Sequence, residues 1–420
     1  MAVDASQIQS YQELPAHISP APNTNRANPA TDALHAARTR DDLAEITSLW
    51  PWPFMQLAQL LSETDAPLRK VDHSGERKDV PALLAQAARL AIETQEFRQK
   101  VLGGRSETFV LDDPHRLMSA TLVLKPTTRA DAAIERQRTT SLKRHLAATR
   151  APDWMVVPES LTEVPLVAPG DADTVYVTRR AKGTSLAEFA AQFPEKVTRH
   201  VPRVVRYLAR IHGWLETETA RARGDHWAAV QSVVTEYGDR IGVPDPNHLG
   251  AMVVSAVPHI LPAVARRDAH AENWLVTPTS QIVALDLEGE EDLPLLYEVA
   301  QFIEDHALVP LGPDAWSLRA GLCQAYLQEF GHTSLDAADV ESAYQAFALT
   351  RAVFVAGHVP RKVDRSSPSG SRRFAADRVR HAVKVAEWVA TTAAHPLAEC
   401  AGELSGPLRA ASDLVLAELG

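Results

Sequence analysis

The sequence predicts an α+β protein with a bilobal layout: a small lobe built on an antiparallel sheet with one helix, then a larger helical lobe, with a helical extension in front of both. Three observations carry this expectation. Extended apolar runs concentrate between Val101 and Thr178, where they flank one long helical pattern. From Ser185 onward most segments have helical periodicity, interrupted only by the short extended runs NWLVT and QIVALDL with a turn-like PTS between them. Finally, 420 residues are too many for one small core, and 45% hydrophobic with 23% charged residues is the balance of a chain that folds.

Residues 1–100 read as an extension, partly flexible and then helical. Pro15 to Asp32 is rich in Pro, Asn, Ala and Thr and has no periodicity to bury. RDDLAEITSLWPWPFMQLAQLLSE holds two short amphipathic segments separated at WPWPF, because proline removes a donor and clashes with the preceding turn. Trp50 and Trp52, beside those helix ends, read as satellite core, with a grip on a ligand as the alternative. DVPALLAQAARLAIETQEFRQKV then reads as a longer helix.

Residues 101–178 form the expected sheet lobe. VLGGRSETFVLDDPHRLMSATLVLKPT has the pattern of a hairpin turning at DDPH, and strand alternation puts Thr121, Val123 and Lys125 on one face and Leu122 and Leu124 on the other. RADAAIERQRTTSLKRHLAA is a helix on which Glu135, Leu142 and Leu146 fall within one narrow arc at about 100° per residue. Strands are expected near Trp154 to Leu161 and Thr174 to Thr178. Residues 179–420 form the helical lobe: SLAE has the form of a capping box, and VTRHVPRVVRYLARIHGWLET has helical period. This layout leaves a cleft between the lobes. No internal repeat is present.

Forty-three Lys and Arg against fifty-three Asp and Glu leave a formal charge of -10, so no global field draws the chain to nucleic acid or anionic lipid. Cys323 and Cys400 are the only cysteines and lack the spacing of a metal knuckle or redox pair, which reads as free thiols in a reducing compartment. The N-terminus lacks a basic start followed by an apolar core, and no apolar stretch approaches the roughly 20 residues of a membrane helix. GAMVVSAVPHILPAVA, the nearest, is broken by two prolines and a histidine. The expected location is cytoplasmic, with no membrane and no nucleic-acid partner.

The chemistry centres on RRDAHAENWLV, Arg266 to Val276. Asp268 and Asn273 lie in a loop leading into a strand, and Asp286 ends the next strand. Asp and Asn are common in turns, but here three of them bracket one hairpin. Phosphoryl transfer needs such a set: a carboxylate to orient and deprotonate a hydroxyl, and oxygen ligands for magnesium. Glu135 shares the apolar side of its helix, and an inward glutamate wants a cation. Lys125 is the natural one, and a surface pair with Arg136 or Arg138 is the competing reading.

These residues resemble a known family, the aminoglycoside phosphotransferase and choline kinase branch of the protein-kinase-like fold. DAHAEN is similar to its Asp-x-His-x-x-Asn catalytic loop, and IVALDLEGEEDLPLLYEVAQFIED is similar to its metal-binding segment and following helix. The resemblance implies that Asp268 is the catalytic base, that Asn273 and Asp286 are Mg2+ ligands, and that His270 is structural. LGGRSETFVL resembles the nucleotide-covering hairpin, implying ATP phosphate contacts at Gly103, Gly104, Arg105 and Ser106. Lys125, set by Glu135, would hold the α and β phosphates. TVYVTRRAKGTSLAEF resembles the hinge, so adenine is expected on strand-edge amides of Tyr176, Val177 and Thr178, and YLARIHGWL resembles the family's helix ending in Leu-His. The resemblance covers about Val101 to Asp305. Arg266 and Arg267 stand where many relatives have His-Gly, and Asp-Leu-Glu replaces Asp-Phe-Gly, which leaves a specialised or weakened enzyme open.

The acceptor is read as the hydroxyl of a small metabolite or antibiotic, with a Ser/Thr kinase acting on a peptide or protein as the alternative. Glu288, Glu290, Glu291 and Asp292 would favour a cationic acceptor, or else form a solvated acidic turn. Arg361, Lys362, Arg365, Arg372 and Arg373 lie in a Ser/Pro/Gly-rich loop that is mobile, or else grips an acidic peptide. The N-terminal extension offers surface for a protein partner. A catalytically silent nucleotide-binding regulator is the reading from another class.

Overall fold

The computed structural model describes residues 109–111, 122–165, 174–181, 183–218, 225–258, 261–265, 268–287, 292–332, 334–362 and 369–419. The fold is mixed α+β, mostly helical with small sheets whose pairings are antiparallel in all but one case. The class expected from the sequence is therefore the one observed.

In chain order the first part runs β1 (Phe109–Leu111), β2 (Leu122–Thr127), α1 (Arg129–Ala148), β3 (Met155–Val156), β4 (Glu159–Pro165) and β5 (Thr174–Arg179). β6 (Thr184–Ser185), α2 (Leu186–Gln192), α3 (Pro194–Val197), α4 (Val201–Glu218), α5 (His226–Arg240), α6 (Pro246–Ser255) and β7 (Ala263–Ala265) follow. A 3-10 turn at Ala271–Asn273 leads into β8 (Trp274–Val276), β9 (Ile282–Ala284) and β10 (Asp292–Pro294). The chain closes with α7 (Tyr297–Glu304), α8 (Ala315–Phe330), α9 (Ala337–His358), α10 (Ser369–Thr392) and α11 (Leu397–Leu419). The described residues divide into two compact units, one ending at Ser141 and including Pro158–Ala181, the other Leu142–Val157 with the chain from Lys182 onward.

In the first unit the sheet order is β1-β2-β5-β4, antiparallel throughout. β2 pairs with β5 so that Lys125 lies opposite Tyr176. The register between β4 and β5 shifts between Ser160 and Thr162, leaving Leu161 as the extra residue of a bulge. α1 starts after Thr128, whose Oγ1 accepts the Asp131 N–H at 3.1 Å and donates to the Asp131 carboxylate at 2.7 Å. That local bonding satisfies an orphan amide of the first turn. Ala132, Glu135, Thr139, Leu142 and Leu146 are the buried positions of α1. They recur at helical spacing, so the face read from the sequence is the face that is buried.

In the second unit β3-β9-β8-β6 form one small sheet and β10-β7 another. Ser185 Oγ accepts from the Glu188 N–H at 3.2 Å, the capping contact expected from SLAE. α4 begins at Val201, not at Val197 where the pattern starts. Pro202 lacks an N–H and fits only in the first turn, so its position sets the start. β7 and β10 were not expected: three-residue strands carry too little periodicity to read. α9 is buried on nearly every face, from Val340 to Gly357. A Cβ on Gly357 would meet the Tyr237 carbonyl oxygen at 2.9 Å, so glycine permits the approach of α5. Cys323 and Cys400 are buried free thiols. Among the described residues no helix is long and apolar enough to cross a membrane.

Candidate active site

The β8–β9 hairpin places the second unit's candidate residues. Trp274 pairs with Ala284, Leu275 with Val283 and Val276 with Ile282. The Leu285 N–H then donates to the Asn273 carbonyl at 2.9 Å, extending the pairing one step past the strand ends. Asn273 and Asp286 therefore sit at the same end of the hairpin. The turn at the other end is tied by Thr277, whose Oγ1 accepts the Gln281 N–H at 2.9 Å.

Asp268 and Asp286 both have left-handed backbones, with φ of 63° and 57°. Few residues other than glycine and the short Asx side chains take this conformation readily. Non-glycine residues held there cost on the order of 1 kcal/mol or more and cluster at functional sites. What holds Asp268 is explicit. Its carbonyl oxygen accepts from Asn273 Nδ2 at 2.8 Å, and its Oδ1 accepts from Gln301 Nε2 of α7 at 2.6 Å. His270 Nε2 stands 3.7 Å from the other carboxylate oxygen.

Ala269, the next residue, is gripped at both backbone groups. Its N–H donates to Glu298 Oε1 at 2.9 Å, and its carbonyl accepts from Trp274 Nε1 at 3.1 Å. Glu298 Oε2 lies 2.7 Å from His212 Nε2, and His212 Nδ1 lies 2.5 Å from the Tyr326 hydroxyl. With Nε2–H donating to Glu298, Nδ1 of a neutral imidazole accepts from Tyr326. All three side chains are buried, and burial pushes the Tyr326 phenol well above its usual value. A buried carboxylate needs such donors, since leaving one polar group unpaired costs about 1–3 kcal/mol.

α7 is anchored from its far end. Glu304 takes both forks of Arg319, at 2.7 and 3.1 Å, with Tyr344 and His381 also on its carboxylate. Burial would raise the Glu304 carboxyl, but Arg319 and His381 pull it down to about 2. Asp305 is held by both forks of Arg351, at 2.9 and 2.7 Å.

In the first unit Lys125 Nζ is 3.1 Å from Glu135 Oε2, and their side chains are only 17% and 11% exposed. Arg136, one of the competing cations, is paired with Glu163 at 3.0 Å instead. The strand-edge expectation at Tyr176, Val177 and Thr178 needs correction. β5 is flanked by β2 and β4 over Thr174–Arg179, so its backbone groups face ladders on both sides, and the pairing ends at Arg179. Burial raises the Tyr176 phenol, and neighbouring Glu135 adds to the rise.

Gly103, Gly104, Arg105 and Ser106 lie outside the described residues, as do Arg266, Arg267, Glu288, Glu290, Glu291, Arg365 and the extension holding Trp50 and Trp52. The side chains of Arg361, Lys362 and Arg372 are likewise outside them, while Arg373 is exposed and Asp292 pairs within β10. Sequence reasoning missed Glu298 and Gln301. A signal existed: in LLYEVAQFIED, polar residues 298, 301 and 305 recur at helical spacing, with Glu304 the one other polar residue in an apolar run.

No protein-family model and no curated protein matches the chain. Among solved structures it is similar to the amicoumacin kinase hAmiN, described in complex with AMP-PNP, Ca2+ and Ami, at 13% identity over 67% of this chain and 85% of that one, with a TM-score of 0.43. It is also similar to a microcompartment-associated aminopropanol kinase, at 14% identity, 69% and 92% coverage and a TM-score of 0.39. Choline kinase LicA from Streptococcus pneumoniae matches at 12% identity, 68% and 91% coverage and a TM-score of 0.40.

Proposed function

We propose that this protein is an ATP- and Mg2+-dependent phosphotransferase acting on a hydroxyl, with a small metabolite or antibiotic as acceptor. The observation that carries this reading is the hold on Asp268: a strained backbone clamped by Asn273, and a carboxylate aligned by Gln301. A carboxylate fixed in this way suits a base that must meet one proton. In the proposed reaction Asp268 accepts the acceptor's hydroxyl proton as that oxygen bonds to the γ-phosphorus, and the bond to the ADP oxygen breaks. Asn273 and Asp286 offer the hard oxygen donors that magnesium prefers, and would hold it from one end of the hairpin. Bound there, the ion would neutralise phosphate charge. Lys125, set by Glu135, would meet the nucleotide's phosphates, and the segment after Arg179 would meet its base.

Purified protein incubated with ATP, Mg2+ and a panel of amino sugars, amino alcohols and Ser/Thr peptides, read by mass, tests this. A gain of about 80 Da on one acceptor, the mass of one added phosphoryl group, lost in Asp268→Asn, is expected. No transfer to any acceptor, with ATP turnover equal in wild type and Asp268→Asn, overturns the reading. Asp286→Asn is expected to abolish the magnesium dependence of nucleotide binding, and intact dependence would remove it as a ligand.

A further inference from the structure

His270, Glu272 and His306 each bring one ligating atom within 4.8 Å of the others. The first two come from the turn before β8, and the third follows the carboxylates at the end of α7. The bonding around them leaves specific atoms without partners. His306 is only 9% exposed, and its Nδ1 has no hydrogen-bond partner among the described residues. His270 Nδ1 is also buried without one, and it faces Glu272 Oε2 at 3.9 Å. Most buried polar atoms in native structures are met by a protein group, an ordered water or an ion, so two unmet imidazole nitrogens in one cluster call for a ligand.

The donor set points to a class of ligand. Two imidazoles and a carboxylate are the ligands of zinc and its neighbours, whereas magnesium takes oxygens alone. The ring orientations are constrained: Phe374 of α10 packs on His306 with centroids 5.3 Å apart, and His306 and His270 face each other at 6.5 Å. Among the described residues, the charges facing the cluster have partners of their own. Arg351 is forked onto Asp305, Arg378 Nε donates to the Asp305 carbonyl at 2.7 Å, and Glu272 supplies a negative charge.

We propose that His270, Glu272 and His306 form a binding site for a zinc-class divalent transition metal beside Asp268. Ligated through Nδ1, His270 carries its proton on Nε2, the nitrogen that faces the Asp268 carboxylate at 3.7 Å. The metal thus fixes the tautomer that can donate to Asp268, as ligating histidines commonly donate to a carboxylate behind them. Three protein ligands leave one coordination position open. Its donors are not those assigned to magnesium, so metal binding here can be tested separately from the phosphotransferase reading, on which only the link to Asp268 rests.

Full-length protein stripped with a chelator and titrated with Co2+ in excess Mg2+, followed by visible absorption, tests the site without reference to activity. One cobalt per chain is expected, displaced by one equivalent of Zn2+. Glu272→Gln, an exposed and isosteric change, and His306→Asn are each expected to weaken binding by at least about tenfold. Asp286→Asn should leave cobalt binding unchanged, which separates this site from the magnesium ligands. Absence of stoichiometric binding in the wild type, or equal binding by Glu272→Gln with an unchanged circular dichroism spectrum, overturns the proposal. The Glu272→Gln result decides the matter even where His306→Asn fails to fold.

Discussion

Gln301 Nε2 lies 2.6 Å from Asp268 Oδ1, and this contact ties α7 to the loop that enters β8. Gln301 is 1% exposed, so water does not replace the bond when it is removed. A buried hydrogen bond to a charged group contributes about 1.5–3 kcal/mol. Gln301→Leu is therefore expected to lower kcat at least about tenfold, since about 1.4 kcal/mol is a factor of ten, with little change in the KM for ATP. Gln301→Glu sets a second carboxylate against Asp268 and should raise the pKa of the pair. The acid limb of the pH–rate profile then moves to higher pH, and an unmoved limb would show that the contact does not reach the base.

Glu298 joins the Ala269 amide to His212, all out of contact with water. Glu298→Ala strands both donors and should cost on the order of 3 kcal/mol, as breaking one side of a buried pair does. Thermal unfolding should show a drop of several degrees. Hydrogen exchange should show the Ala269 amide losing protection before the amides of α9. Retained protection at Ala269 would mean that Trp274 alone suffices to hold the loop.

Lys125 and Glu135 form a mostly buried pair within the first unit. Lys125→Ala and Glu135→Gln should each raise the KM for ATP more than they lower kcat. The double variant should be little worse than either single one, with a coupling of about 0.5–3 kcal/mol between contacting residues. Additive losses in a double-mutant cycle would show the two acting separately.

Glu304 predicts how stability depends on acid. Its carboxyl is held at about 2 against an ordinary value of 4.5, with burial opposed by Arg319 and His381. A depressed carboxylate contributes stability fully above the unfolded value and loses it as pH falls toward the folded one. Denaturant unfolding of the wild type should therefore weaken between pH 4.5 and 2. Comparison with Glu304→Gln isolates the effect: the gap between the two should narrow by on the order of 3 kcal/mol across that window. A gap independent of pH would show that Glu304 is protonated in the folded protein.

The candidate site was legible in part. Spacing exposed Asp268, Asn273 and Asp286 because a hairpin between them is short and its strands are apolar, so local pattern is enough to order them. The Lys125–Glu135 pairing was legible because helix period puts Glu135 on the apolar side of α1, where a carboxylate wants a cation, and Lys125 closes the extended run before it. Gln301 and Glu298 were not singled out, because a polar residue in an apolar helix looks the same whether it meets solvent or a partner. His306, just past the end of α7, was invisible because its neighbours in space, His270 and Glu272, are 36 and 34 positions away in sequence.

By itself the sequence determined the class of fold, the Ser185 cap before α2, the inward face of α1 and the two aspartates bracketing one hairpin. These follow from periodicity, capping and turn chemistry, which act over a few residues. Tertiary structure decided that β5 is flanked on both sides, that β7 pairs with β10, and that Asp268 is held by Gln301 while Ala269 is held by Glu298. It alone gathered His270, Glu272 and His306. Each of these depends on which distant backbone or side chain satisfies a buried polar group, and that choice is made only when the packed core removes water as the alternative partner.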